Sequence, residues 1–582
     1  MLFSSFVLFS GHSISANTEK IIVPTSEKQS IRYWLPHRVA KSDERVKQAQ
    51  AVFTQLLHSW DQSRIEPELV IVRSNDGPWA AALADGHILM SYSALQMMDK
   101  IRPDAQEDAL AFVLAHELSH QRNDDLWHQR FFRTSDIRET LKIDKIKEGR
   151  RLKELQADTE GIVAMSVVGF NPLAIIESSN FFTKWVETSS NLKCQHASNS
   201  ICDFARQREK NIKSKIKAVQ RQKIWYELGL VELAEENYVI SRKYFINFAK
   251  DYPHWLVYNT IASSFLLELI LYQSNLSSDN ALNAKLYLSL SYLDFLSHSD
   301  RPMKRSKAKF KDRSELTNAA IRYLNKSLHL DPNNAETLYL LSLSYLLANN
   351  IPMAQGVLKG QLQRIANTGV ESSYLEALIN IRSQDYNKAF HLLKEALHIA
   401  NDKQAKNNFI RYAIIDQIRL LPLTEKAKED ATEIVNQFIF SERKKGNSIG
   451  FRWGMKEAFS DKPLDYFVKP YAWQDFIGSS EKKVNKNDIG LWLDGEPYFI
   501  ENKKQQFRLF DKRGKTIKQW CHIINCLDGL KINTRKRLIA KFGLPTSVQR
   551  LAGRTYYKYQ QAGFIAVLKN QKVDLLFRSE GG

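Results

Sequence analysis

Apolar residues recur every three or four positions along most of the chain, which is the spacing that buries one face of an α-helix. The segment 104–123 follows Pro103 and contains neither Pro nor Gly. Its apolar stripe comprises Ala111, Phe112, Leu114, Ala115 and Leu118. A second helical segment is predicted over about 147–168. The pattern therefore predicts two long helices in the first third of the chain.

After about residue 220 the helical pattern repeats with a spacing of about 34 residues, which resembles that of tetratricopeptide repeats. Stacked helix pairs of this kind build a concave groove suited to an extended segment or a partner protein. An irregular helical region is the alternative, and the stretch 274–313 fits the repeat less well. Positions in register include Trp225, Leu228, Gly229, Phe245, Pro253, Ala320, Leu324, Leu338, Leu341, Ala354, Ala377, Ala389 and Leu393.

Beyond about residue 446 the pattern changes to short apolar and aromatic runs separated by turns, which predicts strands. These runs lie around Trp492 and at 498–500, 507–510 and 563–568, with a helix predicted over 534–542. This indicates a small α+β accessory domain, to which the sequence assigns no chemistry.

The chain is strongly basic, with 83 Lys and Arg against 64 Asp and Glu and a net charge of +19. Such an excess favours anionic partners, but the basic residues are dispersed and form no recognisable nucleic-acid-binding motif. We therefore expect a solvated basic surface and no nucleic-acid partner.

The first 16 residues are interpreted as a signal peptide, because an apolar run at 2–9 precedes small residues before Asn17. The run lacks a preceding Lys or Arg, which is a departure from the usual signal. Later stretches fall short of roughly 18 apolar residues, so we expect no transmembrane segment. The four cysteines lie in two local pairs, Cys194 with Cys202 and Cys521 with Cys526. Two disulfides in an oxidising compartment are predicted, although four cysteines allow three pairings and reduced thiols are the alternative.

The first predicted helix carries His116, Glu117 and His120 in an HExxH arrangement. Residues four apart share a helix face, so both imidazoles can bind one zinc ion, while Glu117 can act as general base toward the attacking water. Two solvated His on a helix are the alternative interpretation. On the second helix, Glu154 and Asp158 are again four apart. We predict Glu154 as third zinc ligand and Asp158 as the acceptor that orients a ligand His; an ordinary charged helix face is the alternative.

Over about residues 45–220 the chain resembles the gluzincin metallopeptidases related to the CAAX prenyl protease and the heat-shock protease HtpX. The resemblance lies in HELSH at 116–120 followed by ELQAD at 154–158, and in 79–88, which partly matches the family's edge-strand segment. It implies that a peptide substrate adds as a strand beside Ala82 and Leu83. A looser match at His196, with Arg206 and Arg208 beyond it, implies a zinc-facing His that stabilises an oxyanion or occupies the fourth zinc position.

The resemblance implies a mainly α fold, in which a zincin-like metallopeptidase domain with a small edge sheet occupies 45–220. A tetratricopeptide superhelix would follow over 221–445 and the α+β domain over 446–582. With export and repeats, the chain is similar to the soluble periplasmic branch of the family. This implies a zinc endopeptidase, with one Zn²⁺ per chain, that cleaves misassembled outer-membrane proteins and docks on their assembly machinery through its repeats. A non-catalytic scaffold with a vestigial metal site, or an envelope peptidase acting on other proteins, remains an alternative.

Overall fold

The computed structural model of this chain is mostly helical, and its described residues form two β-sheets. The predicted signal peptide (1–16) lies outside the described residues. The structure describes residues 30–60, 66–75, 77–123, 147–177, 181–190, 194, 200–274, 287–290, 293–296, 313–365, 369–402, 408–444, 489–493, 496–503, 506–513, 516–522, 534–542, 545, 547–551, 554–559, 563–569 and 572–578.

A small three-stranded sheet and surrounding helices form the first part of the fold. The sheet has the order β1-β3-β2, with β1 parallel and β2 antiparallel to β3. Ser91 ends β3 and caps the following helix, because its Oγ accepts a hydrogen bond from the Ala94 amide at 3.2 Å. The elements are α1 (Ile31–Trp34), α2 (Glu44–Leu57), β1 (Glu68–Val72), β2 (Ala80–Ala82), β3 (His87–Ser91) and α3 (Tyr92–Met98).

Helix α4 (Gln106–Arg122) is the central element of this region. It follows a 3₁₀ turn at Pro103–Ala105, and its first turn carries Glu107 and Asp108, whose charge suits a helix N-terminus. Every residue from Asp108 to His120 is buried, so α4 is enclosed on all sides by its neighbours. Helix α5 (Lys147–Val167) packs along it, in agreement with the second predicted helix.

The next helices are α6 (Leu173–Glu177), α7 (Phe181–Ser190) and α8 (Ser200–Ala234). Helix α8 runs without a break through the predicted domain boundary at 220/221. The helices that follow are α9 (Tyr238–Asp251), α10 (Trp255–Ser274), α11 (Arg313–Leu330), α12 (Ala335–Leu347), α13 (Ile351–Val357), α14 (Val370–Arg382), α15 (Tyr386–Asp402), α16 (Asn408–Leu420) and α17 (Glu425–Lys444). A π-helical turn at Leu358–Leu362 and a short turn at Gln363–Ile365 follow α13.

Three of the helix ends in this region share one type of turn. The second residue after the end of α8, α12 and α14 has a positive φ in each case, namely Glu236, Asn349 and Gln384. After each of these residues the next amide donates to a carbonyl five positions earlier, at 2.8, 2.8 and 2.9 Å, which is a Schellman-type ending. The same turn chemistry thus reverses the chain at three places in this region.

The C-terminal region contributes most of a ten-stranded sheet with the order β4-β5-β10-β11-β12-β13-β9-β8-β7-β6. Its strands are β4 (Tyr287–Leu290), β5 (Leu293–Leu296), β6 (Ile489–Leu493), β7 (Glu496–Lys503), β8 (Gln506–Asp511), β9 (Thr516–His522), β10 (Ser547–Leu551), β11 (Arg554–Tyr559), β12 (Phe564–Lys569) and β13 (Lys572–Arg578), with helix α18 (Arg535–Phe542) before β10.

Strands β4 and β5 lie within the stretch 274–313, which fits the predicted repeat less well. They lie between α10 and α11, and β5 pairs with β10 through Leu293 opposite Leu551 and Asp294 opposite Arg550. The alternation of Leu and Ser over 288–291 has the period of a strand rather than a helix. Among the residues that the structure describes, no helix is both long and apolar enough to cross a membrane.

Candidate metal centre and active site

Two histidines of α4 form the first half of the site. His116 and His120 are one helical turn apart, and both side chains are fully buried. Their Nε2 atoms lie 3.0 Å apart, so both imidazoles point at one location. This convergence is what the four-residue spacing predicts for a shared metal ion.

Glu154 of α5 completes the group across the helix pair. One carboxylate oxygen, Oε2, lies 3.4 Å from His116 Nε2, and the other, Oε1, lies 3.4 Å from His120 Nε2. The Glu154 side chain is 22% exposed, whereas both histidines are enclosed, so the site faces solvent on the glutamate side. Burial alone would raise the pKa of Glu154, but His120, His116 and Arg208 outweigh it and hold that pKa well below 4.5.

The spacing of the donor atoms suits a tetrahedral metal site. Zinc bonds of about 2.0–2.2 Å place neighbouring tetrahedral ligands about 3.3 Å apart. The two imidazole nitrogens lie 3.0 Å apart, and each lies 3.4 Å from a different oxygen of the Glu154 carboxylate. Two imidazoles and one carboxylate are a donor set that zinc accepts, and they leave a fourth position for solvent or substrate. His116, His120 and Glu154 could therefore hold a metal ion.

Asp158 orients the first histidine from behind. Its Oδ1 lies 2.9 Å from His116 Nδ1, and the Asp158 side chain is fully buried. A carboxylate on Nδ1 keeps the other ring nitrogen, Nε2, directed at the metal position. Burial would lower the pKa of His116, but Asp158 and Glu154 outweigh it and raise that pKa above 6.5.

Arg208 of α8 joins the carboxylates of α5 into one network. Its Nη2 and Nε donate to Asp158 Oδ1 and Oδ2 at 2.7 and 3.1 Å, and Nη2 lies 3.3 Å from Glu154 Oε2. Burial would raise the pKa of Asp158, but Arg208 and His116 outweigh it, so that pKa is lowered. A buried guanidinium held by two carboxylates fixes their positions because it matches carboxylate geometry with a rigid fork.

The looser family match left open which arginine, Arg206 or Arg208, belongs to the site. Arg206 pairs with Asp203 at the exposed side of α8 and donates to the Cys194 carbonyl at 2.9 Å, away from the ligands. Only one of the two positions faces α5, and a helical wheel anchored on buried Ala205 and Ile212 would have favoured Arg208.

Glu117 and His196 are the predicted reacting groups. Glu117 follows His116 on α4 and is fully buried. Burial would lower the pKa of Arg208, but Asp158 and Glu154 outweigh it and raise that pKa, and the negative charge of Glu117 adds to the rise. His196 lies outside the described residues, so its predicted role toward zinc stays a prediction. The predicted disulfide between Cys194 and Cys202, on either side of it, is confirmed; Cys526 of the second predicted pair also lies outside the described residues.

The predicted substrate strand lies beside the metal helix. Ala82 ends β2, which forms the edge of the described three-stranded sheet and packs against α4. Leu83 follows directly, and its amide donates to the His87 carbonyl at 2.8 Å, so it turns back toward β3. Both side chains are buried, which leaves the outer side of the β2 backbone as the part of the strand that a peptide could contact.

Comparison with known proteins agrees with this geometry. Residues 43–137 match the model of peptidase family M48, a stretch that includes the small sheet and the whole of α4. No curated protein matches the chain. Glu154, Asp158 and Arg208 lie beyond the matched residues, and the fold brings them to the two histidines. The family match and the His116–His120–Glu154 group together support a metallopeptidase of the M48 gluzincin type in this part of the chain.

Proposed function

We propose that this protein is a zinc-dependent endopeptidase that holds one zinc ion through His116, His120 and Glu154. The observation that carries the proposal is the convergence of three ligand atoms, from helices α4 and α5, within 4.8 Å of one another. Asp158 and Arg208 support that arrangement by hydrogen bonds to a ligand and to each other. Structural sites of zinc use four protein ligands, whereas three ligands with an open position are typical of catalytic sites.

Each residue around the proposed ion has a separate role in peptide hydrolysis. When bound, zinc would lower the pKa of a water molecule and polarise the scissile carbonyl. Glu117 is the general base: its carboxylate takes the proton of the attacking water and returns it to the leaving amine. Asp158 keeps His116 in the tautomer that presents Nε2. Arg208 keeps Glu154 and Asp158 ionised and in place, because its positive charge lies beside both carboxylates.

Protein chains are the proposed substrates. An extended peptide that adds to the outer side of β2, beside Ala82 and Leu83, would use main-chain hydrogen bonds and so accept many sequences. It would lie next to α4, the helix that carries both histidines and Glu117. The helical repeats that continue from α8 would bind an unfolded client or a partner protein in a tetratricopeptide-like groove.

The cell envelope is the proposed setting, and the periplasm the proposed location. The Cys194–Cys202 disulfide supports an oxidising compartment. The similarity of the HELSH and ELQAD pair, followed by repeats, to the soluble periplasmic branch of the gluzincins supports a role in quality control of outer-membrane proteins. Misassembled outer-membrane proteins are then the proposed clients, and their assembly machinery is the proposed partner of the repeats.

The test compares three versions of the purified full-length chain on unfolded outer-membrane protein and on casein. Wild type should cleave both and lose activity to a zinc chelator, while Glu117→Gln should lose at least about 100-fold in rate and keep its zinc. Glu160→Gln is the matched control, since Glu160 lies on α5 but contacts Asn123 and Gln156 rather than the ligands. Cleavage by Glu117→Gln at the wild-type rate would remove Glu117 as the base. If wild type shows no chelator-sensitive cleavage, the peptidase proposal is wrong and the non-catalytic scaffold is favoured.

A further inference from the structure

The three helices that carry the metal site meet again at a second, distant place. This is the turn Gly169–Phe170–Asn171 that follows α5, and each of its residues is held by a different part of the chain. The Asn171 amide donates to Asp108 Oδ1 of α4 at 2.8 Å, and Lys223 Nζ of α8 donates to the Phe170 carbonyl at 2.8 Å. Arg554 Nη2 of β11 donates to the Gly169 carbonyl at 3.3 Å.

The C-terminal sheet supplies two of the cations at this turn. Arg554 Nη1 also lies 3.5 Å from Glu227 Oε1 of α8. Lys569 Nζ, at the end of β12, lies 3.6 Å from Asp108 Oδ1 and 5.0 Å from the centre of the Phe170 ring. Lys223, Asp108 and Arg554 are 3%, 7% and 9% exposed. Charges this deeply placed are tolerated only when they are paired, so the cluster is a specific contact.

A second buried contact holds the same sheet against α8. Lys518 of β9 lies 3.1 Å from Glu232 Oε1 and 2.8 Å from Glu235 Oε2, and all three side chains are buried. Tyr498 of β7 meets the Trp225 ring edge-on with 5.9 Å between centroids. The sheet is therefore fixed to the helix that carries Arg208, which lets its cations act as a rigid support for the turn.

We propose that the C-terminal sheet is a built-in support of the metal centre, with Arg554 and Lys569 as positioning residues that set the angle between α4 and α5. Glu154 lies 15 residues before Gly169, or about 22 Å along the helix axis. A tilt of α5 by one degree about its far end would move Glu154 by about 0.4 Å over that length. Site residues must be held within about 0.5 Å, so a small loss of support at the turn changes the ligand geometry.

This inference rests on the proposed zinc site, and its test uses the holoenzyme as a full-length chain. Arg554→Met and Lys569→Met remove a positive charge at similar side-chain length. Lys569→Arg restores the charge and serves as the rescue variant. Lys512→Met is the matched control, because Lys512 pairs with Glu496 on an exposed part of the same sheet.

Zinc affinity by chelator competition and kcat and KM on a peptide are the readouts. Arg554→Met and Lys569→Met should weaken zinc binding roughly 2- to 30-fold, the range for residues coupled to a site that they do not touch. Their kcat should fall while KM stays unchanged, because the β2 edge is untouched. Lys569→Arg should recover most of both losses, and Lys512→Met should equal wild type.

Hydrogen exchange of the zinc-free protein keeps the result interpretable if a variant is unstable or if wild type binds no zinc. The amides of α5 around 154–161 should exchange faster in Lys569→Met than in Lys512→Met, because α5 has lost a support at its far end. Wild-type zinc affinity in both Met variants would overturn the inference even if their melting temperatures fall. Unchanged α5 exchange in Lys569→Met would overturn it as well. If wild type binds no zinc but α5 still exchanges faster in Lys569→Met than in Lys512→Met, the zinc proposal is wrong, whereas the support of α5 by the C-terminal sheet is confirmed.

Discussion

At Gly161, helix α5 lies close against the backbone of α4, and replacing this glycine with Ala tests whether the close contact determines the geometry of the site. A Cβ at position 161 would lie 3.0 Å from the His116 backbone nitrogen, and 3.2 and 3.3 Å from the backbone carbon and oxygen of Ala115. These atoms belong to the backbone of a helix that is buried on all sides, so they cannot rotate away. The two helices must then separate by a few tenths of an ångström.

Two opposed free-energy terms follow from this change. Ala in place of Gly inside a helix stabilises by about 0.5–1 kcal/mol, while overpacking costs about 1–3 kcal/mol. The free energy of unfolding of Gly161→Ala should therefore fall by about 0–2.5 kcal/mol. The effect on the site should be larger, because Glu154 and Asp158 move with α5 while both histidines stay on α4. We expect zinc affinity to fall about 10- to 100-fold, as it does when a supporting contact of a ligand is lost.

The assay pairs zinc affinity by chelator competition with urea unfolding of the zinc-free protein. Gly356→Ala in α13 is the matched control, since a Cβ there would meet no atom within 4 Å. It should stabilise the chain by about 0.5–1 kcal/mol and leave zinc affinity unchanged. If Gly161→Ala gained as much stability as Gly356→Ala and bound zinc as tightly as wild type, the close helix approach would not determine the site.

Three further predictions concern the remaining parts of the fold. Gly229→Ala should lower the free energy of unfolding by about 1–3 kcal/mol in urea, since its Cβ would lie 2.6 Å from the Phe245 ring; an unchanged midpoint would contradict the predicted helix contact. Burial lowers the pKa of His254 to about 3 from 6.5, so stability should be full above pH 6.5 and decrease as pH falls below it. The loss should be about 2 kcal/mol at pH 5 relative to pH 8, and His254→Asn should remove this component from the pH profile; an identical profile in the variant would refute it. Arg208→Lys should weaken zinc binding about 10-fold or more, because a lysine cannot donate two parallel hydrogen bonds to Asp158. Arg206→Lys should bind zinc like wild type; equal effects of the two substitutions would contradict the assignment of Arg208 to the site.

Local sequence predicted the parts of the site that one helix determines. The four-residue spacing of His116 and His120 places both imidazoles on one face whatever the rest of the fold does. The second helix, predicted over about 147–168, is found at Lys147–Val167. The prediction of Glu154 as third ligand depended on its place on a long second helix behind the HExxH helix, because a carboxylate on a charged helix has no signal of its own for a metal. The Cys194–Cys202 pairing followed from short separation in the chain.

Contacts between distant segments could not be predicted in the same way. Strand β5 pairs with β10, more than 250 residues later, and no feature of 287–296 identifies that partner. The choice of Arg208 over Arg206 is made by which side of α8 faces α5, and this depends on tertiary packing. The same holds for Arg554 and Lys569, which look like members of a dispersed basic surface until the fold buries one and pairs both.

The most direct test of the metal site is the zinc content of the dialysed full-length protein, measured by mass spectrometry for wild type, Glu154→Gln and Glu160→Gln. Both substitutions change a carboxylate of α5 into its neutral isostere, and only Glu154 lies within reach of the two imidazoles. Wild type and Glu160→Gln should retain about one zinc per chain, and Glu154→Gln should lose most of it, as expected for removal of one of three ligands. Zinc content in Glu154→Gln equal to that of wild type would contradict the proposed centre.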